Sequence, residues 1–371
     1  MIDQWCSFSH SDLLTGNASD AFLDILDQFH MSYQDVHGHL CIALCLFGIV
    51  TNILNFIVLT RSHMRSASNM FLAIIALIDM SLMALYLVYI AGFVIIEEDH
   101  CQQTVHSYGW TWFLLLHAVF SVVLHTISLW LAALFSLVRL IVIRRKQDVS
   151  LLFTTAFITR LFMYLAISVA ILSIPHALTF RVVPEVYLCK DSLNNVTLKY
   201  TLMPSQLAIA NRCFLLKMTL WINGFPFKLI PCIILFISIL SLLKFLSEAQ
   251  AKKRRAFGNN RRQPTRYVSR STTKLLVTIL SIFLITEIPQ AIVATMSGIY
   301  PSDIYAKIYP KLGDLLDLLS LINSNANFIL LCLMSSQFRT TFSMMFLPRK
   351  FTTGTQLRLE QPTGHTRLEN C

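Results

Sequence analysis

The chain alternates long apolar blocks with short polar stretches. Seven apolar segments stand out, at approximately Leu40–Thr60, Met70–Ile96, Trp112–Ile143, Leu161–Phe180, Met218–Phe245, Leu275–Tyr300 and Leu312–Met334. Each is about as long as a helix must be to cross roughly 30 Å of hydrocarbon. The backbone finds no water inside lipid, so each block must satisfy its own hydrogen bonds as a helix. The third and fifth blocks are long enough to tilt or protrude. The pattern predicts an all-α integral membrane protein built as a seven-helix bundle. It divides the chain into an N-terminal segment (1–39), a seven-helix domain (40–346) and a tail (347–371).

Composition agrees with this reading. Of 371 residues, 55% are hydrophobic and 13% charged, about half the charged fraction of roughly 25% usual in soluble chains. The net charge of +10 has a local source. Between Ala249 and Lys274 lie Lys252, Lys253, Arg254, Arg255, Arg261, Arg262, Arg266, Arg270 and Lys274, with no acid among them. A basic run between two apolar blocks reads as an inner loop beside anionic membrane lipid. A nucleic-acid partner is not expected, because no soluble domain is there to present the run.

Loop charge also sets the expected orientation. Residues 1–60 carry no Lys or Arg, but they hold Asp3, Asp12, Asp20, Asp24, Asp27 and Asp35. Arg61 and Arg65, then Arg144, Arg145 and Lys146, then the nine-residue run, then Arg339 all fall on the other side. That side is predicted to be cytoplasmic, in a multi-pass protein of the plasma membrane with its N-terminus outside. Two glycosylation sequons, at Asn17 and Asn195, fall on the predicted outer side. The first residues lack the basic region and apolar core of a cleavable signal, so the first apolar block is expected to insert the chain.

Nine cysteines are present. Cys6, Cys101, Cys189 and Cys213 fall outside, where disulfides persist, and four cysteines allow three pairings. Cys41, Cys45, Cys232 and Cys332 lie in apolar blocks and read as small packing residues.

Polar residues inside lipid-spanning helices are costly and tend to be paired or functional. The first segment has Asn52 within Gly48-Ile49-Val50-Thr51-Asn52, and the second ends Ala76-Leu77-Ile78-Asp79. The third carries Leu124-His125-Thr126-Ile127-Ser128-Leu129-Trp130-Leu131 and ends Ser136-Leu137-Val138-Arg139-Leu140. The fifth has Lys228-Leu229-Ile230-Pro231-Cys232, and the sixth Thr286-Glu287-Ile288-Pro289-Gln290. The seventh has Asn323-Ser324-Asn325-Ala326-Asn327-Phe328, followed by Met334-Ser335-Ser336-Gln337-Phe338-Arg339. With these stretches in this order, the chain resembles rhodopsin-like G-protein-coupled receptors over nearly its whole length. More narrowly, it is similar to invertebrate myosuppressin and FMRFamide-type neuropeptide receptors, grouped in nematodes with the serpentine class w receptors.

The resemblance implies roles for particular residues. Asp79, Ser128, Asn323 and Asn327 match positions that surround a sodium ion; an ion-free hydrogen-bond cluster is the alternative. Arg139 matches the arginine that meets the heterotrimeric G protein. Pro231 and Pro289 match helix distortions that open a pocket and act as pivots. Phe338 matches the start of a short amphipathic helix after segment seven. Cys101 and Cys189 match a disulfide, although Cys101 stands farther ahead of Arg139 than the usual cysteine does. Glu287 is expected to be paired, with His125 a partner, or else to touch ligand. His117, His125, Lys228, Glu287 and Gln290 are the ligand-pocket candidates.

The chain also departs from the pattern. Val138 stands where an acid usually precedes Arg139, and Leu140 where a tyrosine follows it. Ile239 and Leu331 replace two tyrosines, and the fourth segment lacks its usual tryptophan. The resemblance implies a receptor for an amidated neuropeptide, with a small-molecule chemosensory receptor as the alternative. The outer acids, including Glu97, Glu98 and Asp99, would draw in a cationic peptide. The sequence shows no internal hydropathy repeat of the kind many transporters carry. It has no lysine between Leu312 and Met334 for a retinal link, and no catalytic or metal-ligand constellation. No cofactor is expected beyond the sodium ion.

Overall fold

The structure is a computed structural model. It describes Cys6, Leu13, Leu14 and residues 16–96, 107–145, 153–188, 196–257 and 267–346. Among them, seven helical spans are long and apolar enough to cross a membrane. They are α1 (Asn17–Leu59), α2 (Ala67–Ile96), α3 (Tyr108–Arg145), α4 (Thr155–Leu172), a fifth span made of α5 (Gln206–Gly224) and α6 (Ile230–Phe257), α7 (Tyr267–Ile299), and α8 (Tyr309–Met334). A π-helical stretch, Phe225–Leu229, joins α5 to α6, and another, Pro301–Ile308, leads into α8. The last described helix, α9 (Ser336–Phe346), starts where the Ser335 hydroxyl accepts from the Phe338 amide at 3.2 Å. Phe338 is buried, and it and Phe342 lie 6.2 Å from Phe328 of α8. The tail beyond Phe346, the basic residues 258–266, and Cys101, Cys189 and Asn195 lie outside the described residues.

Packing follows chain order. α1 lies against α2 and α8, α3 against α2 and α6, and α7 between the fifth span and α8. One apolar core runs through α2, α3, α6 and α7, with Phe71, Leu131, Phe135, Leu235, Leu242 and Leu280 fully enclosed. α4 is peripheral. Its Tyr164, Ile167 and Ile171 are exposed, as expected of a face turned to lipid. Cys41, Cys45 and Cys232 are buried free thiols and Cys332 is half-buried, in keeping with packing roles.

Three features extend or correct the sequence reading. The first helix begins at Asn17, more than five turns before the apolar block, because a polar amphipathic stretch continues the same helix. Residues 17–39 of the N-terminal segment are therefore helical. Second, the connection after α4 folds as a hairpin, β1 (Phe180–Leu188) with β2 (Val196–Pro204), pairing antiparallel from Phe180 opposite Pro204 to Leu188 opposite Val196. Its Val, Tyr and Thr content suits a strand, but the fourth apolar block was read as running on to Phe180. Third, Cys6 is bonded to Cys213 of α5, a closure between residues 207 apart. Nothing in the spacing pointed to that pair. Cys213 ends a left-handed turn, with φ of 50°, 56° and 61° at Asn211, Arg212 and Cys213. Such a turn is costly for residues other than glycine and needs support from its surroundings.

The disulfide belongs to a wider clamp at this end of the bundle. The Asp303 carboxylate accepts from the Leu13 and Leu14 amides at 2.6 and 3.2 Å and pairs with Lys307 at 2.7 Å. Lys311 pairs with Asp27 at 2.6 Å. The chain before α1 is thereby tied to α5 at one point and to the start of the seventh span at another.

Candidate functional site

A cavity of about 530 Å³ opens in the hairpin half of the bundle, within the size range of ligand sites. Helices α2, α3, α5, α7 and α8 wall it, and Phe180 and Leu202 of the hairpin close over it. The hairpin is fixed to α3, since Thr111 Oγ1 donates to the Tyr200 carbonyl at 3.1 Å and Tyr108 meets Tyr200 edge-on at 5.3 Å. His117, His125, Lys228 and Gln290 all line the cavity. His117 stacks flat on Tyr89, with ring centroids 4.3 Å apart. His176, outside the spans, also lines it, and burial holds its imidazole below the ordinary pKa, so a neutral ring faces the space.

Glu287 lies behind this wall with 0% exposure. Its Oε2 accepts from His125 Nε2 at 2.9 Å and from Lys228 Nζ at 3.1 Å. Lys228 donates also to Gln290 Oε1 at 2.6 Å. Gln290 Nε2 in turn donates to the Leu316 carbonyl at 2.7 Å and to Ser320 Oγ at 2.6 Å. One continuous relay thus joins α3, the fifth span, α7 and α8. A buried carboxylate is tolerable only with such compensation. The sequence offered His125 as partner; the structure adds Lys228 and leaves Glu287 behind the cavity wall. Lys228 and His125 keep one side on the cavity, each about 14% exposed.

The fifth span is shaped to put Lys228 there. Pro226 and Pro231 flank the lysine, and neither has a backbone N–H. In the π stretch, Ile230 N–H bonds the Phe225 carbonyl five residues back. The next such bond would run from residue 231 to the Pro226 carbonyl, and proline cannot make it. Trp130 of α3 supplies the missing donor, with its indole Nε1 2.9 Å from the Pro226 oxygen. Just before the bulge, Gly224 lets α5 meet α7 backbone to backbone. A Cβ there would sit 2.8 Å from the Ala294 carbonyl oxygen and the Thr295 Cα.

The family model for the serpentine seven-transmembrane chemoreceptor type Srw matches residues 39–349. The chain is also 30% identical to the G-protein coupled receptor dmsr-1 of Caenorhabditis elegans, over 88% of this chain and 71% of that one. It is 26% identical to the sex peptide receptor of Drosophila melanogaster, over 85% and 73%. The chain belongs to the Srw family of G-protein-coupled receptors. As an Srw receptor it is a multi-pass membrane protein that signals; it is not an enzyme.

Below the relay, the Srw receptor holds its second polar group. Ser128 Oγ donates to Asp79 Oδ1 at 3.0 Å, and Asn327 faces the same carboxylate. Asn323 is buried one turn away on α8. Two further asparagines tie helices by their backbones. Asn52 Nδ2 donates to the Gly48 and Ser324 carbonyls at 2.9 and 3.4 Å, and Asn325 Nδ2 to those of Leu321 and Leu44 at 2.8 and 3.3 Å. Of these groups, the oxygens of Asp79, Ser128, Asn323 and Asn327 are of the kind that suit a hard cation.

Arg139 lies at the other end of α3, half-buried, and its Nε has no hydrogen-bond partner among the described residues. Val138, Ile239 and Leu331 are buried in the apolar core. Three of the positions that departed from the rhodopsin-like pattern thus present buried apolar side chains, and Leu140 is half-buried. Pro289 lies inside α7 directly before Gln290, which bonds to α8, and Pro231 lies at the start of α6 after the bulge.

The sequence reading missed Asp317, which projects from α8 into the cavity. An acid inside the last apolar block was a sufficient signal, but Asp314 and Asp317 fell near its predicted outer edge and were passed over. It also missed the Trp130–Pro226 bond, although both residues lay in or beside quoted motifs. His37 was missed too; it joins the Tyr33 and Tyr86 hydroxyls at 3.0 and 3.1 Å and so ties α1 to α2.

Proposed function

We propose that this receptor binds an amidated neuropeptide of the FMRFamide or myosuppressin type at the plasma membrane, with the hairpin end outside, and activates a heterotrimeric G protein at the opposite end. The observation that carries this reading is the relay at the cavity wall. A ligand that contacts Lys228, His125 or Gln290 bears directly on Glu287 and hence on α7. Ligand binding then shifts the population toward a state in which the sixth span moves. Arg139 is the residue that meets the G protein. Two relatives named for the sex peptide make a peptide ligand the natural first class to test.

The test is a screen of amidated neuropeptides on cells expressing the receptor with a promiscuous G protein. A response to such a peptide, lost on Lys228→Met at normal surface expression, is the expected result. Silence to the whole peptide panel with a response to odorant-like molecules would establish the second reading, a small-molecule chemoreceptor, which the Srw description favours.

Asp79, Ser128, Asn323 and Asn327 are proposed to hold a sodium ion that favours the inactive state. Agonist affinity should then fall as sodium rises, by reciprocal linkage, and Asp79→Asn should remove the dependence. Equal sodium dependence in both receptors would leave the cluster a hydrogen-bond network. Orientation is tested by glycan occupancy at Asn17 and Asn195.

A further inference from the structure

The charges lining the cavity do not balance. Lys228 is the one lysine or arginine among the described lining residues, and Glu287 already takes its charge at 3.1 Å. Asp317 also faces the space, and among the described residues no cation pairs with it. Its surroundings are phenols. It rests against the Tyr86 hydroxyl, and Tyr89 and Tyr309 lie within reach of its field. Asp314, one turn away on α8, adds negative charge, and it faces His30 and His37 at 3.7 and 3.8 Å. Of the histidines that line the cavity, His125 and His176 belong to α3 and the turn after α4, while His117 of α3 stacks on one face of Tyr89 at 4.3 Å. Asp317 is exposed to this space, where an incoming cation would be attracted to its carboxylate, and tyrosine faces attract cations.

We propose that Asp317 is the specificity-determining residue for a cationic group on the ligand, a guanidinium or ammonium that seats between its carboxylate and the Tyr86, Tyr89 and Tyr309 rings. The proposal rests on the peptide-receptor reading above and adds the chemistry of one subsite. The cavity thereby has two ends of opposite character. The α8 end takes positive charge from the ligand. The relay end, where Lys228 and Gln290 carry spare donor and acceptor capacity, takes a neutral amide.

Two measurements on the full-length receptor test this. The first needs no ligand. Tyr309, exposed and lining the cavity, is replaced by cysteine, and the thiol is labelled with ammonium-bearing and sulfonate-bearing methanethiosulfonates, the parent receptor giving the background. The ammonium reagent should be favoured, and Asp317→Asn should lower that preference about fivefold, the size expected of one charge roughly 10 Å away at intermediate dielectric. An unchanged ratio would mean that Asp317 carries no charge in the cavity, and the proposal would fall. The second compares Phe-Met-Arg-Phe-amide with its citrulline analogue, which keeps the shape of arginine without its charge. The receptor should prefer the arginine peptide about tenfold, the effect expected of one charge pair roughly 4–5 Å apart at intermediate dielectric, and Asp317→Asn should erase the preference. Equal binding of both peptides to the native receptor would overturn the proposal. Should neither peptide bind, the FMRFamide reading fails, while the labelling ratio still decides the charge at Asp317.

Discussion

The two halves of this bundle are held by different forces. In the hairpin half, His125, Glu287, Lys228, Gln290 and Ser320 form an unbroken chain across four spans, with distances of 2.6–3.1 Å. In the opposite half, Val138 beside Arg139 is buried and apolar, and Ile239 and Leu331 are buried in the same apolar core. Hydrogen bonds to charged groups are directional and are made or broken in steps. Apolar packing has no preferred partner and tolerates small shifts. The comparison teaches that the cavity half is built like a latch, a directional polar chain that is made or broken in steps. The far half is held by apolar packing at the positions where the sequence departs from the rhodopsin-like pattern, Val138, Ile239 and Leu331.

The comparison breaks most sharply at Arg139. Arg139→Ala should abolish agonist-driven G-protein activation while leaving peptide binding intact, as read by nucleotide exchange and by radioligand saturation on the same membranes. Activation at the native level would show that the far half does not work through this residue. A smaller effect is expected from the clamp on the near half. Cys6→Ser or Cys213→Ser should cost about 2–4 kcal/mol of stability, measured as a lower melting temperature in detergent and insensitivity to reductant.

Wiring the far half should sharpen the contrast. Tyrosine at both Ile239 and Leu331 returns two hydroxyls to the surroundings of Arg139. A hydrogen bond to a charged group contributes about 1.5–3 kcal/mol, part of it offset by the strain of overpacking a filled core. Agonist-driven activation should rise up to about tenfold, and a fall with normal expression would place the tyrosines out of reach. Last, Trp130→Phe should cost about 1 kcal/mol, since it removes the donor to the Pro226 carbonyl; an unchanged melting temperature would mean that the bulge needs no support from α3.

Much of this architecture was legible in the sequence because lipid imposes a simple rule. Seven apolar blocks had to be seven helices, and the polar residues within them had to find one another. Glu287 and its partner His125 were singled out for that reason, whereas Asp79 and Ser128 were marked by the resemblance and Lys228 and Gln290 as pocket candidates. Their wiring was less legible. Lys228 and Glu287 lie 59 residues apart, on different spans, and which nitrogen reaches which oxygen depends on a π bulge that two prolines and a tryptophan create together. The hairpin and the N-terminal extension of α1 lie where the hydropathy signal ends and local patterns are weak. The Cys6–Cys213 bond joins segments whose proximity is set by the whole bundle, and the Cys101–Cys189 pair implied by resemblance lies outside the described residues. Asp317 was hidden by its place near the edge of an apolar block, a boundary known to only a few residues.

The central claim is that Glu287 is a buried charge held by Lys228 across the fifth span and α7. A double-mutant cycle of Lys228→Met and Glu287→Leu tests it directly, with thermal stability of the purified receptor as the readout. Each single substitution leaves a charge without its partner and is expected to cost about 3–5 kcal/mol. The double substitution removes both charges and should cost at least about 2 kcal/mol less than the two single costs combined. Additivity within about 0.5 kcal/mol would mean that the two side chains act independently, and the account of the latch would be wrong.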